Sequence, residues 1–553
     1  MRLQPMFESF KKIPTAKVAG GVALISTLLV IYLHVVFGMH AGALWRDEVT
    51  SLEIATMRTF SEMWSNLSFD SFPVLFFLVL RVVAGVPETA SDAELRILGI
   101  TVGLLIMGAI WLNSRWLRLG FPLVSLALIG LNPMIIRYGD SIRAYGLGIA
   151  LVLLALGAIW RLVESFTPGR AVIATLSAIL SVQCLYHNSI LLFAICLGAA
   201  AVTAHRRQFK QMFFVLLLGA ISAASLLPYV PMIQRVHSWN FVWKAPFTLS
   251  VLWRKLAEML GSPVSLGVWA WIALFFLAVL GGIWTFSSPS EKNAPGTNRD
   301  RVLFAVVTLL IGTVGYGAFL RVLGYAMRPW YYIVFAAFAA TCIELIFASV
   351  SGARWLLAAR TAFALIFTGV TIYPAAQALQ FRQTNIDLIA THLQSLASRD
   401  DLILINPWFY AISFRHHYHG LTLCTTIPPI QDLRSHRVDI FVRQMMSPAT
   451  MRPVLQTMGD TLRAGHAIWL VGPLDFLPSG QTPRSVPPWI DGANDWNAGD
   501  FSRMWSEQAG FFVQKHAVSF ERVQVPNKQL VNRYENVPLS VIRGWHEGQT
   551  ASQ

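Results

Sequence analysis

The sequence predicts a polytopic α-helical membrane protein that ends in a water-soluble α/β domain, and three observations support this. The chain is 55% hydrophobic and only 13% charged over 553 residues, with a mean hydropathy of +0.54. That composition excludes an ordinary soluble globular protein. Apolar stretches of about twenty residues recur from residue 18 to residue 373, each long enough to cross a bilayer as a helix. After Pro374 the apolar runs shorten and polar residues rise, leaving a tail of about 180 residues, an ordinary domain size.

Lys11, Lys12 and Lys17 precede the first apolar run, Val18 to Phe37, and Ala41-Gly42-Ala43 has the small residues of a cleavage site. The run exceeds the roughly 7–15 residues of a signal-peptide core, so it is expected to stay as an anchor with a cytoplasmic N-terminus. The stretch 71–86, SFPVLFFLVLRVVAGV, is short, contains a proline and carries Arg81. A span here would invert every later loop. Treating it as an amphipathic helix lying in the membrane interface puts Arg115, Arg118, Arg161, Arg170, Arg206, Arg207, Lys210, Arg299, Arg301, Arg354 and Arg360 on the side of Lys11, Lys12 and Lys17. The acid-rich loop 38–94 then faces outward, as positive-inside bias requires.

Spans are expected at 18–37, 95–114, 121–137, 144–162, 171–186, 188–204, 211–230, 265–286, 302–320, 330–350 and 354–373. That is about eleven, an odd number, which puts the tail outside. The expected division is a transmembrane catalytic region, 1–374, and an extracytoplasmic α/β domain, 375–553. In the tail, NIDLIATHLQSLASRDD has helical spacing and DLILINP reads as a buried strand stopped by Pro407. PATMRPVLQTMGDTLRAGHAIWLVGP repeats that helix–strand order. No glycine-rich phosphate loop follows either strand. The segment SSPSEKNAPGTNRD at 287–300 reads as a flexible cytoplasmic loop.

The formal charge of +14 does not imply nucleic acid, because the basic residues are scattered through loops where anionic lipid would hold them. Four cysteines, three of them in apolar runs, make no disulfide framework. His416, His417 and His419 in RHHYHG suggest metal, but no carboxylate or cysteine stands at ligand spacing, which favours a solvated helix or loop.

Trp45-Arg46-Asp47-Glu48 follows the first apolar run, and paired carboxylates at a membrane exit are candidates for function. The order that follows is LWRDEVTSLEIA, then a segment with Ser61-Glu62-Met63-Trp64, then FDSFPVLFFLVLR, and later LNPMIIRYGDSIRAYGLGIA. This succession resembles the GT-C superfamily of membrane glycosyltransferases. The likeness is to the branch of protein O-mannosyltransferases and lipid A aminoarabinose transferases, with Tyr138, Arg143 and Tyr145 matching its second-loop signature. Phe72 stands where relatives often have proline or histidine, and Ser141, with Asp140 before it, where they often have glutamate.

The resemblance implies an enzyme of the bacterial inner membrane, with its active site facing the periplasm. It would transfer a sugar from a polyprenyl phosphate carrier to a lipid, glycan or protein, with inversion. Asp47 would be the general base, which such chemistry needs to accept the acceptor's proton. Glu48 would orient it, touch the sugar or join a divalent metal ion, with Asp47 and Glu48 as its ligands if there is one. Arg46, Arg143 and Arg328 would hold phosphate; Asp140, Tyr145 and His187 complete the substrate-side candidates. Arg81 suits anchoring of the interfacial helix, and Trp239 and Trp243 could stack on sugar. The alternative is a transporter or flippase for a lipid-linked sugar. It lacks support from internal repeats, and Glu344 is the one acidic residue deep in a late apolar run.

Overall fold

The structure, a computed structural model, describes residues 15–86, 89–239, 242, 248–287, 298–324, 327–350, 354–485, 487–490 and 496–547. Lys11, Lys12, Glu88, Trp243 and the expected loop positions 288–297 lie outside the described residues.

Long unbroken apolar runs become long helices because a bilayer offers the backbone no other hydrogen-bond partners. Nine helices among the described residues are long and apolar enough to cross a membrane. They start with Thr15–His40, whose 26 residues extend about 39 Å. Two expected spans differ from that pattern. The 171–186 segment is the 17-residue helix Pro168–Cys184. The 121–137 segment is not one helix but a short turn, Leu123–Ser125, a π-helical stretch, Leu126–Gly130, and a second helix, Pro133–Gly139. Asn132 makes the break by capping the Met134 and Ile135 amides at 2.9 and 3.3 Å, with Pro133 as the first helical residue.

This broken element is packed among helices, and a buried ion pair serves its start. Glu344 pairs with Arg360 and accepts the Ser125 amide at 2.8 Å, while Arg360 also donates to the Phe121 carbonyl. The deep acidic residue is therefore neutralised and bonded to backbone.

The segment 71–86 contains the 11-residue helix Val74–Ala84, about 16 Å long and too short to span. Phe76, Phe77, Leu80 and Ala84 face the protein, whereas Val82 is exposed. Arg81 donates to the Ala55, Met57 and Arg58 carbonyls at 2.8, 2.6 and 3.1 Å. It thereby satisfies carbonyls left open after the preceding helix.

The tail contains a five-stranded sheet in the order β2-β1-β3-β5-β4, where β1 is Leu402–Ile405, β2 Leu423–Thr426, β3 Ile468–Val471, β4 Ala517–Val523 and β5 Leu539–Trp545. β1 pairs parallel with β2 and β3, and β5 runs antiparallel to β3 and β4. β1 and β3 are wholly buried, as continuous apolar runs require, whereas edge strand β4 is mostly exposed. The tail rests on the membrane region through the first loop: Arg434 reaches Glu62 at 3.3 Å and Arg437 lies over the Phe69 ring. The sheet domain and the Asp47 loop are thus on one face of the helix bundle.

Candidate active site

The tetrapeptide Trp45-Arg46-Asp47-Glu48 starts a helix, Arg46–Ala55. Glu48 folds back to accept the Trp45 amide at 3.2 Å, and both carboxylates lie in the first turn, where the helix dipole favours negative charge. Adjacent helical residues point about 100° apart, so the two carboxylates face different surroundings.

Glu48 points inward and is fully buried. Arg96 donates to both its oxygens, at 2.5 and 2.8 Å, and the Ile142 amide donates at 2.9 Å. Arg96 also binds the Gly42 and Ala43 carbonyls at 3.2 and 2.9 Å. The pair therefore ties together the approach to Asp47, the start of the helix Asp92–Trp116 and the second loop. No face of Glu48 is left for sugar or metal.

Asp47 points outward and is partly exposed. His436 of the sheet domain lies 3.3 Å from its Oδ1, and Arg46 Nε lies 3.5 Å from the same oxygen. Arg143 donates to the Asp47 carbonyl at 2.8 Å and pairs with Asp70, which accepts the Ser51 hydroxyl at 2.5 Å. Burial raises the proton affinity of Asp47, but the His436 contact and the charges of Arg46 and Arg143 outweigh it and hold the carboxyl well below the usual range. For Asp70 burial wins over the neighbouring Arg143 and pushes the carboxyl up. A divalent cation bridging Asp47 and Glu48 does not fit: one carboxylate is filled by Arg96, and the other is faced by cations.

Arg46 crosses to the sheet domain. Its Nη1 donates to Glu535 at 3.1 Å and to the Tyr534 carbonyl at 3.0 Å, and its guanidinium lies over Phe409 at 4.8 Å. Burial pushes Glu535 up to about 7 against the pull of Arg46 and of the Ser413 hydroxyl, which donates to it at 2.7 Å. Arg328 is exposed, over the rings of Trp330 and Tyr534 at 5.9 and 5.5 Å. Trp330 packs edge-on to Trp45 at 6.1 Å and Tyr534 is the residue whose carbonyl accepts from Arg46, so Arg328 lies beside the start of the Asp47 helix.

The structure does not bring every candidate here. Asp140 is buried against His34 at 2.7 Å, in a contact that Gly99 and Gly103 permit by having no Cβ. This holds it between the helices Thr15–His40 and Asp92–Trp116. Tyr145, by contrast, borders the cluster: it packs edge-on to Phe72, whose face is covered by Arg143 at 4.6 Å. His187 lies among Tyr145, Tyr316 and Phe319, where burial lowers its proton affinity to about 4. Trp239 stacks on Phe69 at 5.6 Å. Arg96, Asp70, His436, Tyr534 and Glu535 join the site without having been singled out in the sequence. A charged residue at the start of an apolar span was a signal for Arg96; the tail residues gave none.

No protein-family model and no curated protein matches the chain. Among solved structures, the chain is similar to ArnT from Cupriavidus metallidurans bound to undecaprenyl phosphate. That likeness has 12% identity over 80% of this chain and 92% of that one, with a TM-score of 0.49. It is also similar to an Archaeoglobus fulgidus oligosaccharyltransferase tethered with an acceptor peptide, at 12% identity over 82% of this chain and 69% of that one, with a TM-score of 0.47.

Proposed function

We propose that the chain is an integral membrane glycosyltransferase with Asp47 as general base. It would take a sugar from an isoprenoid phosphate carrier and pass it to a lipid, glycan or protein acceptor. One observation carries this reading: a solvent-touching carboxylate faced by Arg46 and His436, with Arg143 on its own backbone carbonyl and Arg328 beside the same helix start, where an apolar helix bundle meets a water-soluble domain. The carboxylate suits an acceptor hydroxyl and the cations suit a departing phosphate.

In the reaction the acceptor oxygen attacks the anomeric carbon and its proton goes to Asp47. The bond from that carbon to the phosphate oxygen breaks, and the phosphate leaves with the electron pair. One displacement inverts the centre. A strongly acidic Asp47 is a weak base, and donor binding corrects this. The phosphate engages the same cations that hold the carboxylate ionised and adds negative charge nearby, so the proton affinity of Asp47 rises.

A deletion strain tests the reading. Mass spectrometry of envelope lipids, glycans and proteins should find one sugar missing from its acceptor and the carrier-linked donor accumulated. Wild-type protein should restore the sugar and Asp47→Asn should not. Restoration by Asp47→Asn would favour transport without covalent chemistry.

The site also has an expected pH signature. Because Asp47 is held ionised in the donor-free protein, kcat/KM should not fall through its protonation until pH drops below the ordinary aspartate value of about 3.9. His436→Ala removes a contact that favours the charged form, so the acidic limb of kcat/KM should move to higher pH. Superimposable profiles from the two proteins would remove His436 from the electrostatics of Asp47.

We further propose that this face lies outside a bacterial inner membrane, on the strength of the positive-inside bias. Cys424 is exposed and the other three cysteines are buried. Ser479→Cys in a Cys424→Ser background should react with a membrane-impermeant maleimide in intact spheroplasts. Labelling only after lysis would invert the topology.

A further inference from the structure

Helix Tyr410–His417 of the sheet domain packs on the helix that carries Asp47, and its last two residues are His416 and His417. The fold brings to them the carboxylate that local sequence lacks: Asp92, at the start of the long helix Asp92–Trp116. One ring nitrogen from each imidazole and one Asp92 oxygen lie within 4.8 Å of one another, all three residues half-buried. His416 Nε2 is 3.5 Å from Asp92 Oδ1, and the two imidazole rings are 4.8 Å apart at 81°. The backbone orients this set. The Leu44 amide donates to Asp92 Oδ2 at 3.0 Å, and the Leu44 carbonyl lies 3.3 Å from His417 Nε2.

We infer that Asp92, His416 and His417 form a divalent transition-metal site, with zinc as its ion, that latches the sheet domain to the membrane region. Two imidazoles and one carboxylate are a common zinc donor set. Bonds of about 2.0–2.2 Å bring tetrahedral ligand atoms to about 3.3 Å apart, so modest side-chain rotations close the observed spacing. Half-burial leaves water as the fourth ligand. The Leu44 amide holding the free carboxylate oxygen is the outer support that metal ligands require. Magnesium is disfavoured because it demands near-octahedral oxygen coordination. Leu44 lies three residues before Asp47, so an ion here would fix the entry to that helix from outside the reaction centre. Binding is independent of whether the chain transfers sugar.

The test uses full-length protein purified through a non-histidine tag, stripped with chelator and given zinc alone. About one zinc per chain should be retained through gel filtration. The melting temperature should rise by roughly 5 °C or more at saturating zinc. His416→Ala/His417→Ala should lose both effects, whereas His419→Ala, at an exposed neighbouring position, should keep them. Cobalt substitution of the unmutated protein gives a readout that needs no variant: intense visible absorption of a tetrahedral site, bleached by added zinc. Absence of stoichiometric zinc, or zinc retained undiminished by a folded double variant, would overturn the assignment.

Discussion

Asp47→Asn should leave a folded, membrane-inserted protein whose turnover falls by about 10²–10⁴-fold, the usual loss when a positioned base is removed. The substitution is isosteric at a partly exposed position, so neither a cavity nor an overpacked contact is created. The amide oxygen still accepts from His436, which keeps the sheet domain docked. What disappears is the charge and, with it, the capacity to take the acceptor's proton. Donor binding should respond in the opposite direction. Removing a carboxylate from beside Arg46 and Arg143 leaves these cations freer for the donor phosphate, so affinity should hold or tighten while kcat collapses. A monodisperse variant assayed for donor binding and for single-turnover transfer would reveal that split. Near wild-type transfer would take Asp47 out of the chemistry, whereas parallel loss of binding and turnover would mean that the site had come apart.

The sequence was most legible where physics is least ambiguous. Long apolar runs have one solution in lipid, and the helices containing 95–114, 144–162 and 302–320 appear where those runs lie. The 121–137 run was legible as buried but not as broken, because hydropathy averages over Asn132-Pro133, which local chemistry marks as a helix start. In the tail, β1 and β3 stood out as continuous apolar strands. The other strands did not: β2 and β4 are edge strands with exposed residues, and β5 runs on into polar sequence.

At the site the limit is different. Asp47 and Glu48 are neighbours in sequence and were both expected at the reacting centre, yet a helical turn sends one to water and the other to Arg96. The partners of Asp47 and Arg46, His436 and Glu535, come from the far end of the chain and no local spacing announces them. The same holds for Asp92, which completes the histidine pair at His416 and His417.

The second large effect is expected at Arg96. Arg96→Met leaves the Glu48 carboxylate buried opposite an apolar side chain, with only the Trp45 and Ile142 amides to hold it. Breaking a buried ion pair from one side typically costs about 3–5 kcal/mol, because the remaining charge loses its partner but not its desolvation. Arg96 also supports the Gly42 and Ala43 carbonyls, so the turn leading into Asp47 loosens with it. Melting temperature in detergent and turnover should therefore fall together, although Arg96 touches neither Asp47 nor any solvent-facing part of the site. Arg96→Met/Glu48→Gln distinguishes this account from a simple packing defect. The neutral amide keeps an oxygen for the Trp45 and Ile142 amides and removes the unpaired charge, so the double variant should be more stable than Arg96→Met alone. A positive coupling energy in that cycle is the signature of a pair whose members act through each other. If Arg96→Met melts and turns over like the wild type, Glu48 is not held by Arg96 and becomes available again as a group that meets substrate. If the double variant is instead as unstable as the sum of its parts, packing and the two carbonyl contacts dominate, and the ion pair contributes little to how Asp47 is held.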